Sequence, residues 1–292
     1  MREHTGSAPL LSVTMTLSVS PSRLIEASRP PFASPGSVYG RESSPEPAAA
    51  GTVHAPKSRG AAVGFSFDLF WSFRSPYCYL TLDRILAVGR EYEVAVNVRP
   101  VYPLAIRSPE FFKRVHPSYR PYHLLDSQRV ADHLGVPYRR PLPDPIVMDM
   151  ATNAIAPDQP YIHRLTRLGM AAVLAGRGLP FLDQVSRILW DGTVDGWDRG
   201  THLADAAARA GLDLEVLDRQ ITADPATYDA AIQENQEAHA AAGHWGVPTT
   251  VFEGEPFFGQ DRIELLVWRM RQRGLPERGA GEGLRSRTPA RG

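Results

Sequence analysis

Strand-like segments are confined to two regions of this 292-residue chain, two in each, and the order of elements around those regions restricts its fold more than any other feature. The first region opens on Phe65-Ser66-Phe67-Asp68-Leu69-Phe70-Trp71-Ser72-Phe73, aromatic and loosely alternating, the pattern of a largely buried central strand. Arg74 to Leu86 follows at once, and Leu82, Ile85, Leu86 and Val88 fall at helical spacing. Glu93 to Val101 then alternates cleanly as a second strand. A helix between two such strands supplies the crossover that parallel pairing needs, so this is a β-α-β unit. From about Tyr102 to Gln236 the pattern is helical. A helix around Leu124, Val130 and Leu134 ends at Gly135, and a Pro-rich connector spans Pro137 to Pro145. Further helices are predicted over Tyr161 to Ala175, Phe181 to Trp190, Thr201 to Ala210, Leu214 to Thr222 and Pro225 to Ala241. The second region opens on Gly246 to Phe252, a strand, followed by a turn at Glu253-Gly254-Glu255-Pro256, a strand at Phe257-Phe258-Gly259 and a closing helix from Asp261 to Arg273.

The order β-α-β, helices, β-β-α predicts an α/β chain with the thioredoxin fold, carrying an all-helical insertion over about 102–241. The folded domain is expected over 63–273, roughly two hundred residues, enough for its own hydrophobic core. Residues 1–62 are Pro, Ser, Ala and Gly with scattered charges and no sustained apolar period, and 274–292 are rich in Gly and Arg, so both are expected to be disordered. The weakly apolar stretch from Pro9 to Val19 is broken by Ser and Thr and preceded only by Arg2, which argues against a signal peptide. A start further along, at Val53 or Val63, is the preferred reading of this extension. No apolar run is long enough to span a bilayer, and a cytoplasmic protein is expected.

Thirty-two basic and thirty-two acidic residues give no net charge, which excludes electrostatic attraction to nucleic acid or anionic membrane and points to a small ligand. Cys78 is the only cysteine, so the chain forms no internal disulfide and no Cys-based zinc cluster. The histidines, among them His116, His123, His133, His163, His202, His239 and His244, lack the His-Glu-x-x-His spacing, and no metal site is expected. Gly176-Arg177-Gly178 lies between helices rather than after a strand, against a nucleotide fingerprint.

Ser75-Pro76 is first a good helix start, with Ser as cap and Pro at a position that needs no N–H. A helix N-terminus fed by a central strand also presents free donors and positive dipole charge to an anion. A thiol docked there would have its pKa lowered, and the Ser75 hydroxyl would hydrogen-bond the thiolate without acting as nucleophile. Cys78 stands where the second sulfur of a Cys-X-X-Cys motif would stand, with Ser75 in place of the attacking one; a packed, inert thiol is the expected state. Pro248 reads as a strand-entry proline, Asp261 as a helix N-cap and Arg262 as a surface charge. Arg164 and Arg167, with His163 nearby, share a face that is either solvated or turned to a carboxylate substrate.

Ser75-Pro76-Tyr77-Cys78-Tyr79-Leu80 after an aromatic strand resembles the Ser-Pro-Tyr-Ser-Tyr/Trp-Leu signature of 2-hydroxychromene-2-carboxylate isomerases and kappa-class glutathione transferases, which have a DsbA-like thioredoxin fold. Gly246-Val247-Pro248-Thr249 and Phe258-Gly259-Gln260-Asp261-Arg262-Ile263-Glu264-Leu265-Leu266 resemble the family's second half. The resemblance runs from about Phe65 to Met270, clear at both ends and architectural in the middle. It implies a glutathione-dependent isomerase in which Ser75 stabilises the thiolate of glutathione or another low-molecular-weight thiol. Pro248 would be cis, leaving the backbone of Val247 to pair with the peptide-like part of the thiol. Gln260 and Asp261, with Arg262 beside them, would hold its γ-glutamyl end. The substrate would be a small aromatic or conjugated acid, and the protein a homodimer. A kappa-type transferase, a DsbA-like thiol-disulfide oxidoreductase and a non-catalytic thioredoxin-like binding module are the alternatives. Two positions depart from the pattern. Arg74 stands where relatives carry an apolar residue, making the site more cationic and favouring an acidic or different thiol. Lys113, Tyr119 and Arg120 lie in the right region but do not reproduce the family's Lys and Asn ligands.

Overall fold

The computed structural model describes residues 64–149, 152 and 154–279. The predicted extension over 1–62, with its alternative start sites, and the end of the tail lie outside the described residues. The chain runs β1 (Phe65–Trp71), α1 (Pro76–Glu91), β2 (Val94–Pro100), α2 (Leu104–Arg107), α3 (Phe111–Arg114), α4 (Tyr119–Leu134), α5 (Pro160–Leu174), α6 (Gly178–Trp190), α7 (His202–Arg209), α8 (Leu214–Ala223), α9 (Pro225–Ala241), β3 (Thr249–Phe252), β4 (Glu255–Phe258), a 3-10 turn (Gln260–Arg262) and α10 (Ile263–Gln272). The strands form one sheet in the order β2-β1-β3-β4, with β1 and β2 parallel and β3 antiparallel to both β1 and β4. This is the thioredoxin fold with α2 to α9 as the insertion.

The central position of β1 follows from its composition, since Phe67, Leu69, Phe70 and Trp71 are all buried and their alternation faces apolar layers on both sides. On one of its sides α1 supplies Cys78, Leu82 and Ile85 to the core. Helix α5 contributes Leu165, Leu168 and Ala172 and packs against β2, α6, α8 and α9. Gly135 ends α4 in the left-handed conformation (φ 64°), as its sequence position predicts. Among the described residues no helix is long and apolar enough to cross a membrane.

Several boundaries differ from the sequence reading, each for a local reason. Strand β3 begins at Thr249 rather than Gly246, because the Gly246 carbonyl accepts from Thr249 Oγ1 (2.6 Å) and its N–H donates to His244 Nδ1 (2.9 Å), closing a turn. The hairpin turn is only Glu253-Gly254, both at positive φ (50° and 81°), as a two-residue hairpin loop requires. Glu255 and Pro256 belong to β4, an edge strand, where a missing N–H leaves no ladder bond unmade. The final α-helix starts at Ile263 after the 3-10 turn, and Asp261 does not cap it. The ordered body also runs past its expected limit at residue 273. Leu275 is buried, Glu93 N–H donates to Pro276 O (2.9 Å) and Arg278 N–H to Glu91 O (2.7 Å), so 274–279 dock beside the start of β2 instead of trailing away.

Candidate functional site

The sheet register brings four chain segments to one end of the sheet. Trp71 at the close of β1 pairs with Pro100 at the close of β2, so the turn into α1 and the segment 101–105 emerge together. Strand β3 is antiparallel to β1, with Phe70 opposite Thr249, so the residues before β3 arrive at that end. Phe258, opposite Thr249 in β4, completes the set. Ser75 and Val247, 172 residues apart in sequence, are thereby neighbours.

Ser75 is the N-cap of α1, and its Oγ accepts from the Cys78 N–H (3.3 Å) and donates to the Val247 carbonyl (3.3 Å). Pro76 occupies the first turn, and no acidic residue there offsets the positive end of the helix. The segment leading to it is fixed by Trp190 Nε1, which donates to Phe73 O (2.9 Å), and by Ser75 N–H to Ser72 O (3.1 Å). The Val247-Pro248 peptide is cis, and Pro248 O accepts from Gly259 N–H (2.9 Å). Gly246 is required here by space, because a Cβ on it would collide with the Phe258 ring. Gly259 is required by its backbone (φ 111°).

Ser75 and Val247 open on a cavity of about 380 Å³. One wall is aromatic: Tyr77 meets His123 edge-on (5.1 Å between ring centres), Tyr119 lies 5.9 Å from the same imidazole, and Phe112, Trp245 and Phe258 close the remainder. Tyr77 donates to Asp126 (2.6 Å), and burial followed by that carboxylate holds its phenol well above the usual range. Burial, then the charges of Arg140 and Arg74, push His123 down to about 4, so it is a neutral imidazole near pH 7. Arg74 and Arg140 also line the cavity, and both are bonded to Asp144. Burial alone would raise the Asp144 carboxyl, but Arg74, the Ile146 N–H and Arg140 hold it below its ordinary value.

Other residues singled out in the sequence are placed differently. Gln260, Asp261 and Arg262 are not among the residues that line the cavity. Gln260 Oε1 accepts from Arg84 and its carbonyl from Thr81 Oγ1 (3.4 Å), while Asp261 pairs with its neighbour Arg262. Cys78 is fully buried, and burial, outweighing its bonds to Ser72 and Ser75, pushes its thiol up to about 12. Arg164 grips Asp218 of α8 and Arg167 grips Asp229 of α9 through two bonds each, so this face is neither simply solvated nor free for a substrate; it clamps α5 to its neighbours. Gly176-Arg177-Gly178 forms the α5–α6 turn. Tyr119 and Arg120 do line the cavity, and the side chain of Lys113 lies outside what the structure describes. Sequence reasoning missed Ser72, His123, Trp245, Arg140 and Asp144. Ser72 Oγ is buried at the cavity without a hydrogen-bond partner among the described residues, and only its place just before Arg74-Ser75 hinted at it.

Residues 67–271 match the DSBA-like thioredoxin domain. The chain belongs to this family. Among solved structures, this DsbA-like chain is similar to a 2-hydroxychromene-2-carboxylate isomerase (20% identity over 71% of this chain and 95% of that one, TM-score 0.51). It is equally similar to a probable DsbA oxidoreductase from Streptomyces coelicolor (20% identity over 71% and 88%, TM-score 0.51). At such identities the likeness speaks to the fold. No curated protein matches the chain.

Proposed function

We propose that this DsbA-like chain is a thiol-dependent isomerase of the 2-hydroxychromene-2-carboxylate isomerase kind, acting on a small conjugated aromatic acid. The observation that carries the reading is Ser75: its hydroxyl caps α1 beside Val247 and faces a largely aromatic cavity. Glutathione, or another low-molecular-weight thiol, would place its sulfur at this helix N-terminus. Each unit by which the thiol pKa falls there corresponds to about 1.4 kcal/mol of preference for the thiolate. The Ser75 O–H, long-bonded to Val247 O, would turn to donate to the sulfur.

When bound, the thiol would supply reversible addition of its thiolate to the conjugated acid and loss of the same thiolate after bond rotation, with no net oxidation. Ser75 would hold the sulfur as thiolate at the N-terminus of α1, and the aromatic side chains of the cavity would hold the conjugated ring. A neutral His123 could donate a hydrogen bond to negative charge developing on the acid's carbonyl oxygen. The disulfide-exchange alternative is disfavoured by Cys78, whose buried sulfur has a raised thiol pKa and cannot present a thiolate. Asp261 would hold an incoming ammonium only by exchanging its pairing with Arg262.

Titration calorimetry of glutathione into the wild type and Ser75→Ala, with thiolate absorbance read on the mixtures, tests the proposal. Wild type should bind and ionise the thiol, and the variant should bind without ionising it. A transferase would show the same thiolate but release a thioether conjugate. Absence of both binding and ionisation in the wild type, across glutathione and other small thiols, would remove the thiol-dependent reading.

A further inference from the structure

We infer that Arg74 and Arg140 form a carboxylate-binding subsite in the cavity, which takes the carboxylate of the planar aromatic ligand. The inference rests on the functional reading above for the identity of that ligand and on geometry for the rest. Asp144 accepts four hydrogen bonds. Its Oδ1 takes Arg74 Nε (3.1 Å) and the Ile146 N–H (2.9 Å); its Oδ2 takes Arg74 Nη2 (3.2 Å) and Arg140 Nη2 (3.0 Å). A carboxylate so occupied has no capacity left for proton transfer. It fixes two guanidinium groups side by side and neutralises one of them, so the cluster keeps one positive charge at the cavity wall.

That charge has donors to offer. Arg74 bonds Asp144 through Nε and Nη2, and its Nη1 group has no partner among the described residues. Both arginines line the cavity together with the apolar Met148 and Ile155. After burial, the charges of Arg140 and Arg74 lower His123, and Arg74 opposes the burial that raises Tyr119, so their field reaches the aromatic residues of the cavity. The Asp126 carboxylate, which acts on His123 in the opposite sense, is occupied by the hydroxyls of Tyr77 (2.6 Å) and Tyr122 (3.4 Å) and does not line the cavity. An aromatic ring against these aromatic side chains, with its carboxylate on the arginines, matches both chemistries. The guanidinium fork, held rigid by Asp144, loses little freedom on binding.

The test compares trans-cinnamate with its uncharged isostere cinnamamide, titrated without thiol into the full chain and into Arg74→Met, Arg140→Met and Ser75→Ala. Wild type and Ser75→Ala should prefer cinnamate by about tenfold or more, the effect of one or two charge-assisted hydrogen bonds. Either arginine variant should lose that preference and leave cinnamamide binding unchanged. Circular dichroism establishes folding; if Arg74→Met is unfolded, Arg140→Met decides, because Asp144 keeps its partner Arg74. Equal binding of the two probes by the wild type overturns the subsite. Weakened glutathione binding in the arginine variants, with cinnamate unaffected, also overturns it by assigning the carboxylate to the thiol. A wild type that prefers cinnamate but does not ionise glutathione keeps the subsite and loses the isomerase reading.

Discussion

His239 shows how much a single residue can carry. It is fully buried, stacks on Phe70 (4.5 Å between ring centres) and leaves both ring nitrogens without a hydrogen-bond partner among the described residues; the Gly246 N–H close to it is committed to His244. Burial first, and the charge of Arg107 second, push its pKa down to about 4. Between the unfolded value of 6.5 and about 4, the unfolded chain takes up a proton that the folded chain refuses. The stability linked to this group is therefore full above pH 6.5 and lost as pH falls to about 4, by roughly 3 kcal/mol if the burial is maintained. Urea midpoints of the wild type and His239→Leu between pH 7 and 4.5 should show a steeper acid loss in the wild type. Identical slopes would mean the imidazole is hydrated or already protonated. His123, depressed in the same direction, contributes the same sign in both proteins.

At the level of elements, the site depends on how closely α5 approaches the turn between β1 and α1. Gly169 of α5 lies under Phe73, and a Cβ added there would stand 2.7 Å from the Phe73 Cε2 atom. Phe73 is two residues from Ser75, and its carbonyl anchors Trp190 (2.9 Å), so a displaced ring pushes on the segment that sets the N-terminus of α1. Gly169→Ala should therefore destabilise by about 1–3 kcal/mol through overpacking, despite the better helix propensity of alanine. Gly89 of α1 has nothing within 4 Å of the same construction, and Gly89→Ala should stabilise by about 0.5–1 kcal/mol. Urea denaturation of the two variants checks the pair, and the same sign for both would contradict the packing argument. Neither glycine differs from the other in helical pattern, so only the neighbouring element separates them.

Over the whole molecule, the segment after α10 belongs to the folded body. Leu275 is buried, and residues 276–278 bond to Glu91 and Glu93 and form a bridge between Glu277 and Tyr92. A chain ended at Arg273 would lack the buried Leu275, uncover the apolar surface it covers and lose these bonds, at a cost of about 2 kcal/mol. Its Tm should be lower by roughly 4–8 °C, read by thermal melting; an unchanged Tm would show that the segment contributes nothing. The composition of 274–292 concealed this docking, because two isolated leucines, Leu275 and Leu284, among Gly and Arg carry no period. Elsewhere local chemistry was legible. The alternation of 65–71 and 94–100, the Ser75-Pro76 helix start, Gly135 and the turn glycine Gly254 fixed which elements form and in what order, since dihedral preference and hydrophobic period act within a few residues. The adjacency of Ser75 and Val247 followed from that order once β3 was antiparallel to β1. The rest of the cavity did not. Arg140 in a Pro-rich connector, His123 and Tyr119 on α4 and Trp245 before β3 meet only because helices of the insertion pack as they do. Partners separated by tens of residues leave no trace in local spacing. The sequence by itself determined the strands, the helix start and the element order; the tertiary structure alone decided that Arg74 shares Asp144 with Arg140, that Gln260 holds Arg84, and that Cys78 is sealed in the core, because each depends on contacts made only after the chain has closed on itself.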